Sequence, residues 1–364
     1  SHLPSPLACL QAPADLQGVV WAVRARCLVR LTPPAWGADS LIVRFEDVDL
    51  AALRGRGDRT DLQGVLRLDG RLDEGRPPEG AFDLQLERSR VADVTLEGGV
   101  ARGALRDGRL AIDTVAVAWA GGEAGGRGTL GWLADREGFL FVQGVATSLG
   151  AFDSLFHRAT GLARDTSAAR VALDGEVRGA LAVTGSLERL QATAQLAARG
   201  LAWEQVSADA ARALVSVDRV ASESRPLRVD VQVEVDALAV GRVRYPTVEL
   251  LGAGAVDSLR WAVRAEGGSA ALSTAAAAGA WIADSGRRTL AVDSLALSLV
   301  ESRWRLATPV RTVLADSGVQ VGAARLVAAN GSGFIDLTGE VPGRGEGRLE
   351  VRAAGLGLRD VYGL

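Results

Sequence analysis

Hydrophobic and polar residues alternate strictly along most of the chain from about residue 40 onward. In the clearest run, polar residues separate aliphatic residues that occupy every second position, namely Leu227, Val229, Val231, Val233 and Val235. Successive side chains of a β-strand point to opposite faces, so such a run predicts a strand with one apolar and one polar face.

The same alternation recurs many times, and its strands are separated by turn-forming residues. Apolar positions of this kind include Leu66, Leu68, Phe82, Leu84, Leu86, Leu110, Ile112, Val115, Val117, Trp119 and Leu297. The pairs Asp107-Gly108, Asp174-Gly175 and Asn330-Gly331, and the glycine-rich stretch 121–128, favour tight antiparallel connections. The pattern therefore predicts a mainly β chain with an elongated, repetitive antiparallel sheet.

Helical periodicity is scarce, so only a few short helices are expected. The best candidate is 148–163, where Ser148 can cap the first turn and Phe152 and Phe156 lie on one face. Shorter candidates are 47–54 and 207–214. Parallel architectures built from alternating strands and helices are poorly supported.

A longer repeat is also visible, because similar segments begin at Leu41, Leu140 and Leu349. Each reads as a strand that runs into a short helix, and the first two lead into long strand-rich stretches. This layout predicts a partial repeat at 1–39, a first β-repeat module at 40–138, a second at 139–348 that contains the helix, and the start of another at 349–364. Repeats that cannot close a core individually are typical of quasi-linear architectures.

Composition and the histidine pattern argue against nucleic-acid binding and catalysis. The net charge is -3, and all 41 basic residues are Arg, which together with the absence of Met is typical of a GC-rich genome. The only histidines, His2 and His157, lie far apart in sequence. Gly126–Gly131 matches a dinucleotide-binding pattern, but strand-like residues follow it, so we interpret it as a turn. We expect no enzyme activity, no cofactor and no metal.

The first 39 residues predict neither a membrane span nor a secretory signal. Arg24, Arg26 and Arg30 interrupt the apolar stretch 19–31 well short of the ~20 apolar residues that a span requires. Cys9 and Cys27 are either a candidate disulfide or two small buried hydrophobic residues. The chain begins without Met, which suggests a fragment of a longer protein.

Several motifs resemble, in the same order, the repeat of the AsmA-like family and its TamB branch, subunits of the translocation and assembly module. They are the element from Val43 to Leu53, the strand from Gly64 to Leu72, the segments that begin at Gly108 and Gly126, and a later set that begins at Arg303, Gly331 and Leu349. The resemblance covers about residues 40–364.

This resemblance implies that the sheet curls into an open trough with an apolar interior. It also implies a protein of the periplasm of a diderm bacterium that carries phospholipid between the membranes and supports outer-membrane protein assembly. Acyl chains would be the bound partner. Missing terminal regions would reach the inner membrane and a BamA/TamA-like outer-membrane protein. The candidate lining residues are Leu66, Leu68, Phe82, Leu84, Leu86, Val115, Val117, Trp119, Val229, Val231, Val233, Val235 and Leu297.

Two alternatives remain open from the residues themselves. One-faced strands also occur in β-sandwiches and β-helices, where the apolar face is a packed core. The chain could accordingly be a secreted or surface β-solenoid with a structural or adhesive role, or a β-helical polysaccharide enzyme, although no acidic cluster supports the latter.

Overall fold

The described part of the chain is a succession of antiparallel β-strands with very little helix. A computed structural model describes residues 9–16, 19–32, 35–49, 59–73, 78–92, 94–152, 173–203, 205–218, 227–241, 243–268, 272–284, 287–299, 302–315, 318–342 and 347–355. For residues 9–40 it describes the backbone alone. The contacts divide the chain into two compact units, 1–192 and 193–364.

In the described part of unit 1 eleven strands are complete, and a twelfth strand contains the point of division. The strands are β1 (Cys9–Leu16), β2 (Val19–Thr32), β3 (Ala35–Val48), β4 (Thr60–Asp73), β5 (Glu79–Leu86), β6 (Ser89–Val91), β7 (Val94–Arg106), β8 (Arg109–Trp119), β9 (Gly122–Gly131), β10 (Gly138–Ala146), β11 (Asp174–Ser186) and β12 (Arg189–Trp203). A 3-10 turn, η1 (Gly150–Phe152), follows β10.

The described part of unit 2 contains eleven further strands. They are β13 (Val206–Asp218), β14 (Arg228–Val240), β15 (Val243–Ala255), β16 (Ser258–Gly268), β17 (Leu272–Asp284), β18 (Arg287–Leu299), β19 (Arg303–Leu306), β20 (Val310–Ala315), β21 (Gly318–Ala328), β22 (Phe334–Pro342) and β23 (Arg348–Ala354).

Strands pair mainly with their neighbours in the chain, as hairpins and meanders do. In unit 2, for example, β14 pairs antiparallel with β13 on one side and with β15 on the other. Strand β10 lies between β9 and β11. Next to the first residue of β10, Ser186 of β11 pairs directly with Gly131 of β9 in a parallel contact. The predicted fold class, a mainly β chain built from a repetitive antiparallel sheet, is confirmed.

The short candidate helices are largely not helical where they are described. Residues 207–214 lie within β13 and pair with β14, so that prediction was wrong. Asp47 and Val48 end β3, whereas 50–54 lie outside the described residues. Of the predicted helix 148–163, Gly150–Phe152 forms the 3-10 turn η1, and 153–163 lie outside the described residues.

The predicted turns have mixed outcomes. Asp107-Gly108 joins β7 to β8, with φ of 50° and 69°, and Asn330-Gly331 lies between β21 and β22, so both are confirmed. Asp174-Gly175 instead opens strand β11. In the stretch 121–128, Gly121 alone is in the turn, because β9 begins at Gly122. The segment Gly126–Gly131 is therefore strand rather than turn, and Trp132 and Leu133 follow β9 outside any strand.

Extra residues interrupt the strand registers at several places. Between β7 and β8, Arg102 faces Thr114 while Gly103 faces Ile112, so β8 has one extra residue at Asp113. Similarly, Ala278 faces Ser294 and Gly279 faces Val292, which leaves Asp293 of β18 as the extra residue. Such β-bulges bend a strand and increase its twist.

The predicted module boundaries stay a prediction, since the two units group residues by contact and not by sequence repeat. The apolar stretch 19–31 belongs to β2. Among the described residues, no helix has the length and apolar character needed to cross a membrane.

Candidate functional site: the apolar faces

One face of the unit 1 sheet carries three rows of apolar residues that cross β3, β4, β5, β7, β8, β9, β10 and β11. The rows follow from the residues that face one another on neighbouring strands. We call this surface the unit 1 apolar face. The first row is Leu41, Leu68, Phe82, Gly103, Ile112, Gly128, Leu140 and Val183; the second is Val43, Leu66, Leu84, Ala101, Val115, Gly126, Val142 and Leu181; the third is Phe45, Gly64, Leu86, Gly99, Val117, Ala124, Gly144 and Gly179.

The structure brings all eight unit 1 lining candidates to this face. Seven of them, Leu66, Leu68, Phe82, Leu84, Leu86, Val115 and Val117, belong to the three rows. Trp119 follows Val117 on the same side of β8 and faces Gly122 of β9. All eight side chains are half-buried.

Unit 2 has an equivalent surface, the unit 2 apolar face, on which four rows cross β13 to β18. These rows contain the remaining candidates, Val229, Val231, Val233, Val235 and Leu297, and all five are half-buried. The rows are Val217, Val229, Gly254, Leu259, Trp281 and Leu290; then Val215, Val231, Gly252, Trp261, Gly279 and Val292; then Ala213, Val233, Leu250, Val263, Ala277 and Leu295; then Ala211, Val235, Val248, Ala265, Ala275 and Leu297.

The large apolar side chains of both apolar faces are half-buried, with the exception of Leu250, which is exposed. Among the side chains that the structure describes, only ten hydrophobic ones are buried, and none of the thirteen lining candidates is one of them. On β3 the apolar-face residues are half-buried, whereas Ile42, Arg44 and Glu46 on the opposite face are exposed. A packed core would bury the apolar face completely. Half-burial is the environment expected on the inner side of a curved single sheet.

Aromatic rings on the apolar faces lie across glycines of the adjacent strand. A Cβ atom added to Gly103 would lie 2.9 Å from the Phe82 ring, and one added to Gly279 would lie 3.0 Å from the Trp261 ring. Analogous pairs are Phe45 with Gly64 and Trp119 with Gly122. These glycines were not predicted as site residues, since the pairing appears only when the strand register is known.

Two indole groups on the apolar faces retain unpaired donors. The Nε1 atoms of Trp119 and Trp261 are buried and have no hydrogen-bond partner among the described residues. By contrast, Nε1 of Trp304, which lies in β19 and faces Leu297 of β18, donates to Oγ of Ser302 at 2.7 Å. The ring of Phe152 from η1 packs edge-on against Trp119 with centroids 5.7 Å apart, so η1 covers this edge of the unit 1 apolar face.

The opposite face of each sheet carries the charges, often as ion pairs between residues directly opposite on neighbouring strands. Arg102 meets Asp83 at 3.2 Å, and Arg212 meets Glu234 at 3.6 Å. This face is not purely polar, since some large apolar side chains on it are exposed, namely Ile42, Phe139, Phe141, Leu214, Leu251 and Ile282. Scattered exposure of this kind is normal for soluble surfaces.

One ion pair, between β21 and β22, clearly shifts a pKa. The Arg325 guanidinium donates two hydrogen bonds of 2.6 Å to the Asp336 carboxylate and also lies over the Phe334 ring. The hydrogen bonds stabilise the charged carboxylate and lower the pKa of Asp336 below its ordinary value.

Two depressions are bordered in part by polar residues of the charged faces. One, of 440 Å³, is bordered by Ser216, Asp230 and Gln232 and also by Trp261 of the unit 2 apolar face, and the other, of 690 Å³, is bordered by Glu123, Gln143 and Arg178. In the described part of the chain, no three His, Cys, Asp or Glu residues cluster as metal ligands would.

The candidate disulfide stays a prediction. Cys9 of β1 is aligned with Arg26, and Cys27 of β2 is aligned with Leu41. Both residues belong to the part of the chain for which the backbone alone is described.

Comparisons of the chain with protein-family models, curated proteins and solved structures found no match.

Proposed function

We propose that this chain is a non-enzymatic lipid carrier in which the two apolar faces hold the acyl chains of phospholipids. Following the sequence resemblance, it would act in the periplasm of a diderm bacterium as part of a TamB-like bridge between the inner and outer membranes. In that setting it would also support outer-membrane protein assembly together with a BamA/TamA-like partner.

The observation that carries the proposal is the continuity of the apolar rows. No charged residue interrupts the three rows of unit 1 or the four rows of unit 2. Removing a ~16-carbon acyl chain from an apolar medium costs about 0.8 kcal/mol per CH₂, or on the order of 13 kcal/mol. A chain that moves across an aqueous compartment therefore needs apolar contact along its path, and uninterrupted rows supply such contact within each unit.

The faces also offer a means of binding the polar end of an acyl chain. The buried indole N–H groups of Trp119 and Trp261 are donors that an ester carbonyl could accept from. An unsatisfied buried donor costs free energy, so a bound oxygen would relieve that cost.

The solenoid alternative is less favoured by the strand arrangement. A β-helix stacks its coils in parallel, whereas consecutive strands here pair antiparallel as hairpins, as in β14 with β15 and β16 with β17. The half-buried faces also differ from the closed core of such a solenoid.

The test is native mass spectrometry with lipid extraction on the chain purified from bacterial membranes in mild detergent. We expect co-purified phospholipid, and we expect Leu84→Arg and Val231→Arg to lose most of it, because each places a charge within an apolar row.

Matched controls come from the adjacent residues on the charged faces, Gln85→Arg and Gln232→Arg. These variants add the same charge to the same strands, but at positions outside the apolar rows. They should therefore retain the same amount of bound lipid as the wild type. A folded wild-type chain free of lipid, or equal loss in both sets of variants, would refute the assignment of the apolar faces as lipid-binding surfaces.

A further inference from the structure

Trp119 and Trp261 lie on the apolar faces in the same way, each with one edge of its indole over a glycine of the next strand. A Cβ atom added to Gly122 would lie 2.6 Å from Nε1, Cε2 and Cζ2 of Trp119. One added to Gly279 would lie 3.0 Å from Cζ2 of Trp261, which belongs to the same edge of the ring. Both indoles therefore present this edge to a residue that has no side chain to accept a hydrogen bond.

The other neighbours of Trp261 on the apolar face offer no acceptor side chain either. Leu259 and Val263 lie beside it along β16, and Gly252 and Gly279 face it on the two neighbouring strands. All four side chains are aliphatic or absent. The position is close to the middle of the unit 2 apolar face, because Trp261 belongs to the second of its four rows.

Trp119 of unit 1 has surroundings of the same kind. Val117 is its neighbour along β8, and Leu96 and Gly122 face it on the two adjacent strands. Nε1 of each of the two indoles is buried and has no hydrogen-bond partner among the described residues. Each unit therefore holds one indole donor on its apolar face for which the surrounding strands supply no acceptor.

Trp304 shows how this chain supplies an acceptor to an indole that is part of a packed contact. Its side chain is buried, and Nε1 donates to Oγ of Ser302, two residues earlier in the sequence, at 2.7 Å. The residue two positions before each of the other two indoles is aliphatic. Their N–H groups are therefore available to an acceptor that comes from outside the chain.

We propose that Trp119 and Trp261 bind the ester carbonyl oxygen of acyl lipids, and that the apolar faces thereby select acyl esters over chains of the same length without a carbonyl group. The inference rests on the proposed lipid-binding function and names the chemical group of the lipid that is recognised. A carbonyl oxygen is a good acceptor, an ether oxygen is a weaker one, and an isoprenoid hydrocarbon has none.

The selectivity follows because these donors have no protein partner to give up. A donor that is already bonded within the protein must break that bond to bind a ligand, so the net gain is small. Here the ester carbonyl gains the hydrogen bond and also removes the cost of a buried, unsatisfied donor. Since no bond holds the ring edge in place, a small rotation away from the glycine brings Nε1 to the open side of the row.

The test is a competition between a diacyl phosphatidylcholine and its dialkyl ether analogue of the same chain length. The complete chain, stripped of lipid, is mixed with equal amounts of both in detergent micelles, and mass spectrometry of the extracted complex gives the ratio of the bound lipids. We expect the ester lipid to exceed the ether lipid about three- to tenfold, the factor that one net hydrogen bond supplies. The double variant Trp119→Phe/Trp261→Phe keeps aromatic rings but lacks both donors, and it should bind the two lipids equally.

The matched control is Trp281→Phe, in the row beside that of Trp261 on the unit 2 apolar face. Nε1 of Trp281 is not one of the buried donors without a partner. This variant removes an indole of the same size from the same face, so it should keep the wild-type ratio of ester to ether lipid.

A second readout is the infrared band of the ester carbonyl of the bound lipid, which a hydrogen bond shifts to lower wavenumber. The wild type should show the shifted band, and the double variant should not. Equal binding of the two lipids by the wild type, a preference that the double variant retains, or an unshifted band would each overturn this inference while the apolar faces remain lipid-binding surfaces. A wild-type chain that binds neither lipid would overturn the proposed function, and this inference with it.

Discussion

At the scale of single residues, the apolar faces depend on glycines as much as on large side chains. Gly103 allows the Phe82 ring to lie across β7, and a Cβ there would also come within 2.1 Å of the Ala111 carbonyl oxygen. Glycine normally weakens a strand, but an aromatic ring that covers it restores contact and shields the backbone. The ring and the glycine therefore act as a pair.

A residue-scale prediction concerns the ion pair of Arg325 with Asp336. The lowered pKa of Asp336 means that the carboxylate contributes stability at pH values above its unfolded pKa. This contribution is lost as the pH falls through the lower, folded pKa. We expect Asp336→Asn to lower the melting temperature slightly at neutral pH, because the pair is exposed.

The measurement is a series of thermal melts between neutral and strongly acidic pH. The difference between wild type and Asp336→Asn should shrink as the pH falls and vanish once the wild-type carboxyl is protonated. A difference that stays constant across the series would contradict a role for this carboxylate charge.

At the scale of secondary-structure elements, extra residues at bulges keep the apolar side chains on one face. Ile112 is at an even position and Val115 and Val117 are at odd positions, yet all three belong to the unit 1 apolar face, because Asp113 is an extra residue in β8. Asp293 has the same role between Val292 and Leu295 in unit 2. A one-residue change in register reverses the face of every later side chain.

Deletion of Asp113 should therefore disrupt β8 far more than its substitution. The deletion would turn either the residues before it or Val115, Val117 and Trp119 toward the charged face. We expect faster amide hydrogen exchange in β7, β8 and β9, because β8 pairs with both of the other strands. Asp113→Ser retains the extra residue and should exchange close to wild type. Equal behaviour of the two variants would mean that the bulge does not set the register.

Strand character was predictable from the sequence because the two-residue period directly reflects which side chains face the apolar side. The same alternation placed all thirteen lining candidates on the apolar faces. The change from even to odd positions after Ile112 was also visible and marks the bulge. The residues of neighbouring strands that face the bulge could not be identified from the sequence, since they depend on the strand register.

Two incorrectly predicted elements show where pairing between strands outweighs the local conformational preference of the residues. Residues 207–214 are rich in Ala, a strong helix former, but they pair with β14, whose Val residues favour a strand. Helix propensity amounts to less than about 1 kcal/mol per residue, so pairing along a whole strand outweighs it. Asp174-Gly175 has the composition of a turn, yet its position at the start of β11 follows from pairing of the next residues with β10.

At the scale of the whole molecule, the contacts between strands are local in sequence. Strand pairs with substantial contact are neighbours or next neighbours along the described chain, as in β3 with β4, β5 with β7 and β17 with β18. In repeat proteins whose elements contact only their neighbours, stability is close to a sum of local contributions from adjacent elements. A destabilised strand should then loosen its neighbours while distant strands keep their structure.

Gly103→Ala and Gly279→Ala test this locality reciprocally. Each added methyl group would come within about 2 Å of a backbone carbonyl oxygen, that of Ala111 or Ala291, so each variant should lose about 1–3 kcal/mol of local stability. We expect Gly103→Ala to accelerate amide hydrogen exchange in β5 to β9 and leave β14 to β18 unchanged. Gly279→Ala should accelerate exchange in β14 to β18 and leave β5 to β9 unchanged.

Gly98→Ala is the matched control, because the nearest atom to its added methyl would be 3.5 Å away. Uniform acceleration along the chain by either variant would instead mean that the strands unfold as one cooperative unit, in which case the repeats would not act as separate contributors to stability.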